Sequence, residues 1–134
     1  ADIVFRSKTQ KTLIPLDACN HVFLSLEDFD VLKGISFYKE IRTMMEHYIE
    51  GIQFFEKTKE ALMYDPLAAY YLINQEAFKI ETMDVQVETE SDLTRGMTVA
   101  DRRTWGDKNP NINVAVFADR EMFVKDFLKI LRQN

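Results

Sequence analysis

The stretch Tyr64-Asp65-Pro66-Leu67-Ala68-Ala69-Tyr70-Tyr71-Leu72-Ile73-Asn74 places a capping residue and a proline ahead of a mostly apolar run. Aspartate is a preferred N-cap because its carboxylate accepts backbone N–H groups one turn on, and proline fits the first helical position. The stretch therefore predicts a helix that has Asp65 as its N-cap and ends near Asn74. Such a cap holds Asp65 where buried structure meets a cleft or the surface, so a ligand role is the alternative to simple capping.

Length and composition limit the class of protein. The chain has 134 residues, 46% of them hydrophobic, which is enough for a single unit over residues 1–134 with its own core. A formal net charge of −5 argues against a nucleic-acid partner, because such binding uses clustered Lys and Arg against phosphates. No apolar run is long enough to cross a bilayer, so no membrane partner is expected.

Two further features concern the setting of the chain. The single cysteine, Cys19, cannot form an internal disulfide, which favours a reducing compartment and predicts a cytoplasmic protein. The chain opens with Ala1 inside a helical pattern that runs to Lys8, so we expect further polypeptide upstream.

The first half of the chain gives alternating strand and helix signals. Residues 12–18 predict a short strand that is irregular at Pro15, because proline cannot donate to a ladder. Ser25 predicts the N-cap of a short helix that reaches about Lys33. Apolar residues spaced by three and four then predict a long helix over residues 35–57. Its expected core-facing stripe is Tyr38, Ile41, Met45, Tyr48, Ile52 and Phe55.

The second half changes from a helical period to a period of two. Residues 82–88, 96–101 and 111–117 predict three strands, the last two joined as a hairpin through a polar loop across which Trp105 packs. Asp119 predicts the N-cap of a closing helix. The core-facing stripe expected of that helix is Met122, Phe123, Phe127, Ile130 and Leu131. This mixed order predicts an α/β unit with strands in a mixed sheet and helices packed on it.

The residues alone contain no complete catalytic constellation. His21 and His47 each lack a partner at ligand spacing, so surface or packing roles are favoured over metal binding or base catalysis. The acidic residues Glu88, Glu90 and Asp92 are interpreted as a solvated turn. Chemistry therefore has to be sought in a resemblance to known proteins.

Three segments carry such a resemblance. The stretch from Tyr64 to Ile73 is followed by Val87-Glu88-Thr89-Glu90-Ser91-Asp92-Leu93-Thr94-Arg95-Gly96-Met97-Thr98-Val99-Ala100-Asp101-Arg102-Arg103 and by Pro110-Asn111-Ile112-Asn113-Val114-Ala115. This order resembles the carboxyl-terminal part of the inosine-uridine preferring nucleoside hydrolases. Upstream, Leu13-Ile14-Pro15-Leu16-Asp17-Ala18-Cys19-Asn20-His21-Val22 is similar to the family's P-L-D-V-T-H segment. The resemblance covers nearly the whole chain and implies a partial nucleoside hydrolase domain lacking its amino-terminal half.

The resemblance also implies a reaction. The family cleaves the N-glycosidic bond of ribonucleosides with one bound calcium, which holds the ribose hydroxyls and activates water. By resemblance, Asp65 is the calcium ligand that comes from the carboxyl-terminal side. Tyr64 stands where pyrimidine- and inosine-preferring members have a histidine that protonates the leaving base, and a phenol is a weaker acid at neutral pH. The long helix lends aromatic residues to the family's base pocket; here Tyr48, Phe54 and Phe55 lie on it, although a core stripe explains them without a ligand.

Calcium takes about six to eight oxygens, so the chain alone is expected neither to bind it nor to catalyse hydrolysis. Three hypotheses follow: a fragment of a ribohydrolase, a non-catalytic remnant that acts as a binding or assembly module, and a site rebuilt by two chains or by a separate upstream polypeptide. The surfaces that the missing half would cover predict a homo-oligomer or a sticky monomer. The preferred base stays open.

Overall fold

The computed structural model describes residues 1–133. The helices are α1 (Asp2–Arg6), α2 (Leu16–Cys19), α3 (Leu26–Phe29), α4 (Tyr38–Glu56), α5 (Tyr64–Tyr70) and α6 (Arg120–Arg132), with 3₁₀ turns at Asp30–Leu32 and Gln75–Ala77. The strands are β1 (Thr12–Leu13), β2 (Phe23–Leu24), β3 (Ala61–Leu62), β4 (Phe78–Met83), β5 (Val85–Val87), β6 (Thr98–Ala100) and β7 (Ile112–Ala118). No helix within the described range has the length and apolar character needed to cross a membrane.

The central sheet has three strands in the order β1-β7-β4. Strand β7 pairs in parallel with β1 and antiparallel with β4, so the sheet is mixed, as predicted. Four of the seven β7 residues, Ile112, Val114, Ala115 and Ala118, are buried. A strand with this burial needs cover on both faces, which places β7 at the centre of the fold.

The other strands form two small antiparallel pairs, β2 with β3 and β5 with β6. The predicted hairpin between residues 96–101 and 111–117 is wrong, because β6 turns back on β5 and β7 joins the central sheet. The side-chain amide of Asn111 bonds the backbone N–H and C=O of Val85 and so starts β7 beside β5 instead of β6. Trp105 does not pack across the loop, since 69% of it is exposed.

The predicted strand over residues 12–18 is correct only at its start. Strand β1 ends at Leu13, and Pro15 is the residue that caps helix α2. Proline suits a helix start because the first N–H groups of a helix have no internal partner. Asp17 consequently lies in helix α2 and not in the predicted strand.

Both hydroxyl and carboxylate caps predicted at the other helices are confirmed. Ser25 Oγ accepts from the N–H of Asp28 at 3.2 Å, while the Asp28 carboxylate accepts from the N–H of Ser25 at 2.8 Å, which is a capping box. Asp119 accepts from the N–H of Met122 at 3.0 Å and starts α6. Gly34, at φ 104°, ends the turn that follows α3 in a conformation that favours glycine.

Two predicted core stripes extend further than the core does. Helix α4 buries Ile49 and packs Tyr38, Ile41 and Met45 against the core. Phe54 and Phe55 are 83% and 82% exposed, so the prediction that Phe55 faces the core is wrong. Likewise Ile130 is exposed on α6, whose core contacts centre on Phe123 and Leu128. Phe54 and Phe55 thus lie outside the core at the end of α4, whereas Leu131 in the last turn of α6 packs against it, as predicted.

An aromatic cluster joins α5 to α6. The ring of Tyr70 lies edge-on to Phe123 at 5.3 Å, and its hydroxyl donates to the Asp126 carboxylate at 2.6 Å. Burial, and then this hydrogen bond, raises the pKa of Tyr70 to about 12. The same bond lowers the pKa of Asp126, because it stabilises the ionised carboxylate.

Arg120, the first residue of α6, links that helix to β2 and to the first turn of α3. The Arg120 guanidinium donates to the carbonyl of Phe23 and to the Asp28 carboxylate, both at 2.9 Å. It also lies over the Phe23 ring, 4.4 Å from the centroid. One side chain therefore holds β2, the cap of α3 and α6 together.

Replacing Tyr70 by Phe should destabilise the chain at pH 7 by about 1 kcal/mol, since a hydrogen bond to a charged acceptor is lost. The folded pKa of Asp126 is depressed below 3.8, so this contribution is present above that value and disappears as pH falls through the folded pKa. Urea unfolding of both proteins at pH 7 and pH 3 measures the difference. Tyr71→Phe is the matched control, because Tyr71 packs on Phe78 but its hydroxyl makes no hydrogen bond within residues 1–133. An equal effect of both variants, or a gap unchanged at pH 3, would contradict the prediction.

Replacing Arg120 by Ala should cost about 1–2 kcal/mol, because two charge-assisted hydrogen bonds of a partly buried guanidinium are removed. Arg95→Ala is the control: Arg95 pairs with a fully exposed Asp92, and such surface pairs contribute at most about 1 kcal/mol. Thermal and urea unfolding give both values. Similar losses in the two variants would show that the Arg120 contacts carry no special stability.

Candidate functional site

Helix α5 starts two residues earlier than the sequence predicted. The helix begins at Tyr64 with Met63 in the N-cap position, and no side chain caps it. Asp65 is thus the second helical residue and Pro66 the third, so the predicted N-cap at Asp65 is wrong. Proline is tolerated there because the N–H groups of the first turn have no partner inside the helix.

The displaced cap leaves the Asp65 carboxylate available. Asp65 is exposed in the first turn of α5, where the positive end of the helix dipole favours a negative charge. Capping and metal binding would have competed for the same oxygens. In the observed geometry Asp65 carries no capping bond, and the ligand interpretation faces no such competition.

Tyr64 immediately precedes Asp65 and is half-buried against the main core. The helix is anchored below it by Leu67, which is fully buried and whose N–H bonds the carbonyl of Met63 at 3.0 Å. The two candidate residues therefore stand side by side on one rigid turn, Tyr64 towards the core and Asp65 towards the surface.

Helix α2 lies next to this turn. Burial, and then the negative charge of Asp65, raises the pKa of the Cys19 thiol. Cys19 is buried and free, so it stays a neutral thiol beside the carboxylate. Nothing in the sequence signals this proximity, because the two residues are far apart in the chain and belong to no shared motif.

A polar cleft of about 670 Å³ runs along the exposed side of α2. Its lining includes Asp17, Asn20 and His21 from α2 and the residues after it, Arg102 from the segment after β6, and Val114 from β7. The cleft could accept polar groups of a ligand or an extended stretch of polypeptide. Asp17, Asn20 and His21 belong to the segment that resembles P-L-D-V-T-H, but no sequence pattern predicts that they line a cleft with Arg102.

The other residues considered from sequence have structural surroundings. His47 is exposed, and its Nδ1 lies 2.9 Å from the carbonyl of Thr43, one turn back in α4. The Glu88 carboxylate accepts from the N–H groups of Glu90 and Ser91, which lowers its pKa and closes the turn after β5. Asp92 is fully exposed and pairs with Arg95. These positions fit the packing and solvated-turn interpretations.

A calcium ion does not fit the donor set of this chain alone. Calcium needs about six to eight oxygens, and carboxylates supply much of its charge balance. Within residues 1–133, no group of three or more His, Cys, Asp or Glu side chains is arranged to hold a metal ion. Asp65 is therefore an exposed carboxylate that belongs to no such group among the described residues.

The tip of α4 presents an unpredicted aromatic pair. The rings of Phe54 and Phe55 meet edge to face with centroids 5.1 Å apart, largely in solvent. Tyr48 lies on the same helix, and its hydroxyl donates a hydrogen bond to the carbonyl of Leu62 at 3.1 Å. This bond ties α4 to the strand that leads into Tyr64. A core stripe, favoured from the sequence, does not account for Phe54 and Phe55.

The chain was compared with known proteins. The family model described as inosine-uridine preferring nucleoside hydrolase matches residues 1–125. A pyrimidine-specific ribonucleoside hydrolase, RihA, from Shewanella sp. (strain ANA-3) is 29% identical over 92% of this chain and 40% of its own length. RihA from Salmonella newport (strain SL254) is 30% identical over 92% of this chain and 41% of its own.

Solved structures agree with the observed fold. A purine-preferring ribonucleoside hydrolase from Gardnerella vaginalis superposes with a TM-score of 0.84 at 25% identity, over 99% of this chain and 43% of that one. The plant nucleoside hydrolase PpNRh1 gives 0.86 at 18% identity, over 99% and 44%, which is a likeness of fold. The chain spans about 40% of the length of the curated relatives it matches. With residues 1–125 matched by the family model, the chain belongs to the inosine-uridine preferring nucleoside hydrolase family.

Proposed function

We propose that this chain supplies the carboxyl-terminal part of a calcium-dependent hydrolase that cleaves the N-glycosidic bond of ribonucleosides. The observation that carries the proposal is the family match over residues 1–125, which includes the turn where Tyr64 and Asp65 stand together. The relatives named above are described as pyrimidine-specific and as purine-preferring. The base is therefore left open, and both classes of nucleoside belong in the test.

Asp65 is proposed as the one calcium ligand that this chain contributes. Its exposure and its freedom from capping support that role. Since one carboxylate cannot hold the ion, the remaining oxygens have to come from polypeptide outside residues 1–133. The chain alone is accordingly proposed to be inactive and to bind no calcium of functional strength.

Tyr64 is proposed as the residue beside the leaving base. A phenol has a reference pKa near 10, so it donates a proton less readily at neutral pH than an imidazolium does. Phe54 and Phe55 are exposed on the helix that the resemblance assigns to the base pocket, which supports an aromatic contribution to base binding. Tyr64 in place of histidine would then limit turnover of bases that need protonation to leave.

Three further proposals concern the domain that the chain belongs to, its oligomeric state and its location in the cell. Residues 1–134 are proposed to act as one unit within a larger nucleoside hydrolase domain, and copies of the chain to form a homo-oligomer. The buried, free Cys19 is compatible with a reducing compartment, and a cytoplasmic location is proposed on that ground.

The alternative function is a non-catalytic remnant that acts as a binding or assembly module. Tyr64 at the position of the family's histidine favours it. The alternative predicts that completing the site does not restore hydrolysis, whereas the hydrolase proposal predicts that it does. A complementation experiment therefore distinguishes the hydrolase proposal from the non-catalytic module, whereas an activity assay of the chain alone does not.

Release of free ribose from inosine and from uridine tests the proposal first. The chain alone should release none, with added calcium or after chelation, because the metal site is incomplete. A chimaera with the amino-terminal part of the Shewanella relative should release ribose in a calcium-dependent manner. Chelation-sensitive turnover by the chain alone would contradict the incomplete site. A folded chimaera without turnover, and still without turnover after Tyr64→His, would favour the non-catalytic module.

Asp65→Asn in the same chimaera tests the ligand role. Calcium affinity should fall at least as much as the roughly 10–100-fold caused by losing a hydrogen-bonding partner of a metal ligand, and activity should fall with it. Glu76→Gln is the matched control, since Glu76 is also an exposed carboxylate in a first helical turn. Calcium titration calorimetry gives the affinities. An unchanged affinity in Asp65→Asn would remove Asp65 from the site.

A further inference from the structure

Within residues 1–133, strand β6 pairs with β5 along one edge only. The hydrogen-bond pattern of that pair shows which backbone N–H and C=O groups of β6 point away from β5. In an antiparallel pair, residues that exchange hydrogen bonds alternate with residues that do not. The N–H of Glu88 bonds the carbonyl of Met97 at 2.9 Å, and the N–H of Asp101 bonds the carbonyl of Asp84 at 2.8 Å. With Gln86 opposite Val99, the register makes Thr98 and Ala100 the residues whose backbone groups point away from β5.

The two outer edges of the β5–β6 hairpin differ in whether their backbone groups have hydrogen-bond partners. On β5, the outward N–H and C=O of Val85 are both satisfied by the Asn111 side chain, each at 3.0 Å. On β6, no hydrogen bond within residues 1–133 reaches the outward groups of Thr98 or Ala100. The open cleft of about 670 Å³ beside them, shared with Asn20 and His21, leaves this edge accessible to an added strand.

We propose that β6 pairs with β6 of a second copy of this chain, antiparallel and about a two-fold axis at Val99. In that arrangement Thr98 of each copy exchanges two hydrogen bonds with Ala100 of the other, four in all, and the two Val99 side chains meet on the axis. An isologous contact of this kind requires a self-complementary surface, and a three-residue edge with both end residues unbonded meets that requirement.

The charges at the two ends of β6 are complementary in the antiparallel arrangement. The acidic turn, residues 88–95, carries three carboxylates and one arginine, and the basic segment, residues 101–108, carries three cations and two carboxylates. Antiparallel pairing about Val99 places Arg102 of one copy opposite Gly96 of the other. The N–H of Gly96 bonds the carbonyl of Glu88 at 2.7 Å, so the acidic turn lies directly beside that point. Arg102 and Glu90 have no ion pair with another described residue.

Apolar side chains flank the same edge. Val99 is 52% exposed and lines an open pocket together with Trp105, which is 69% exposed. Pairing would bring two Val99 and two Trp105 side chains to one face of a four-stranded sheet. Burial of this area adds to the hydrogen bonds, and the opposite order of charges selects the antiparallel over the parallel arrangement. The inference deepens the homo-oligomer proposed above and is independent of the hydrolase proposal.

Sedimentation velocity over a concentration series tests the pairing on the full chain. Thr98→Pro removes an N–H that no described residue uses, and it should weaken the dimer at least about tenfold because two of four hydrogen bonds are lost. Thr98→Ala is the matched control, which keeps the N–H and should leave the dimer unchanged. Val99→Lys should also give monomers, since it places two cations on the axis. Phe54→Lys on the distant tip of α4 should not.

Charge exchange and hydrogen exchange add independent readouts. Arg102→Glu should weaken association, and the double variant Glu90→Arg, Arg102→Glu should restore it. Amide protection of Thr98 and Ala100 should rise with protein concentration.

A monomer at every concentration, or a dimer that survives both Thr98→Pro and Val99→Lys, would overturn the proposal. Circular dichroism checks folding, and if Thr98→Pro is unfolded, Val99→Lys and the hydrogen exchange decide. Ribose release by the chimaera stays a separate measurement, so failure of one proposal does not imply failure of the other.

Discussion

Strand β7 is bonded along both edges, and the rest of the fold depends on that double pairing. Its parallel side holds β1 and its antiparallel side holds β4, so a segment from the start of the chain and one from its middle meet on one strand. The buried residues of β7 then divide the interior into a main core under α2, α5 and α6 and a smaller core beneath α1 and the β5–β6 hairpin. The candidate site lies over the first of these cores and the free edge of β6 over the second.

The first turn of α5, which carries Tyr64 and Asp65, is held in place by contacts with three other parts of the structure. Leu67 is buried beneath it, Tyr70 joins its far end to α6, and the Tyr48 hydroxyl holds the segment just before it. A carboxylate that has to meet a metal held mainly by other polypeptide benefits from such support, since a loose ligand would lose conformational freedom on binding. Under the proposed calcium role, Asp65 would therefore be a pre-positioned ligand.

Local signals predicted the fold well wherever a few neighbouring residues determine the outcome. Ser25 and Asp119 cap their helices as expected, because a cap needs only its own first turn. Strand pairing was predicted wrongly for β6 and β7, because the choice depends on Asn111 reaching Val85, a contact that no local pattern contains. At the site, the resemblance identified Tyr64 and Asp65, whereas the nearness of Cys19 and the exposure of Phe54 depend on tertiary packing.

The two-residue shift at the start of α5 separates two roles, helix capping and metal binding, that would otherwise compete for the Asp65 carboxylate. Were Asp65 the cap, any change at this position would alter helix stability as well as chemistry, and the two effects could not vary independently. With Met63 in the cap position, no capping bond depends on residue 65, and what that residue adds to folding is its charge at the helix start. If Asp65 has the proposed calcium role, a neutral residue of similar size at position 65 would change metal binding far more than it changes the start of the helix.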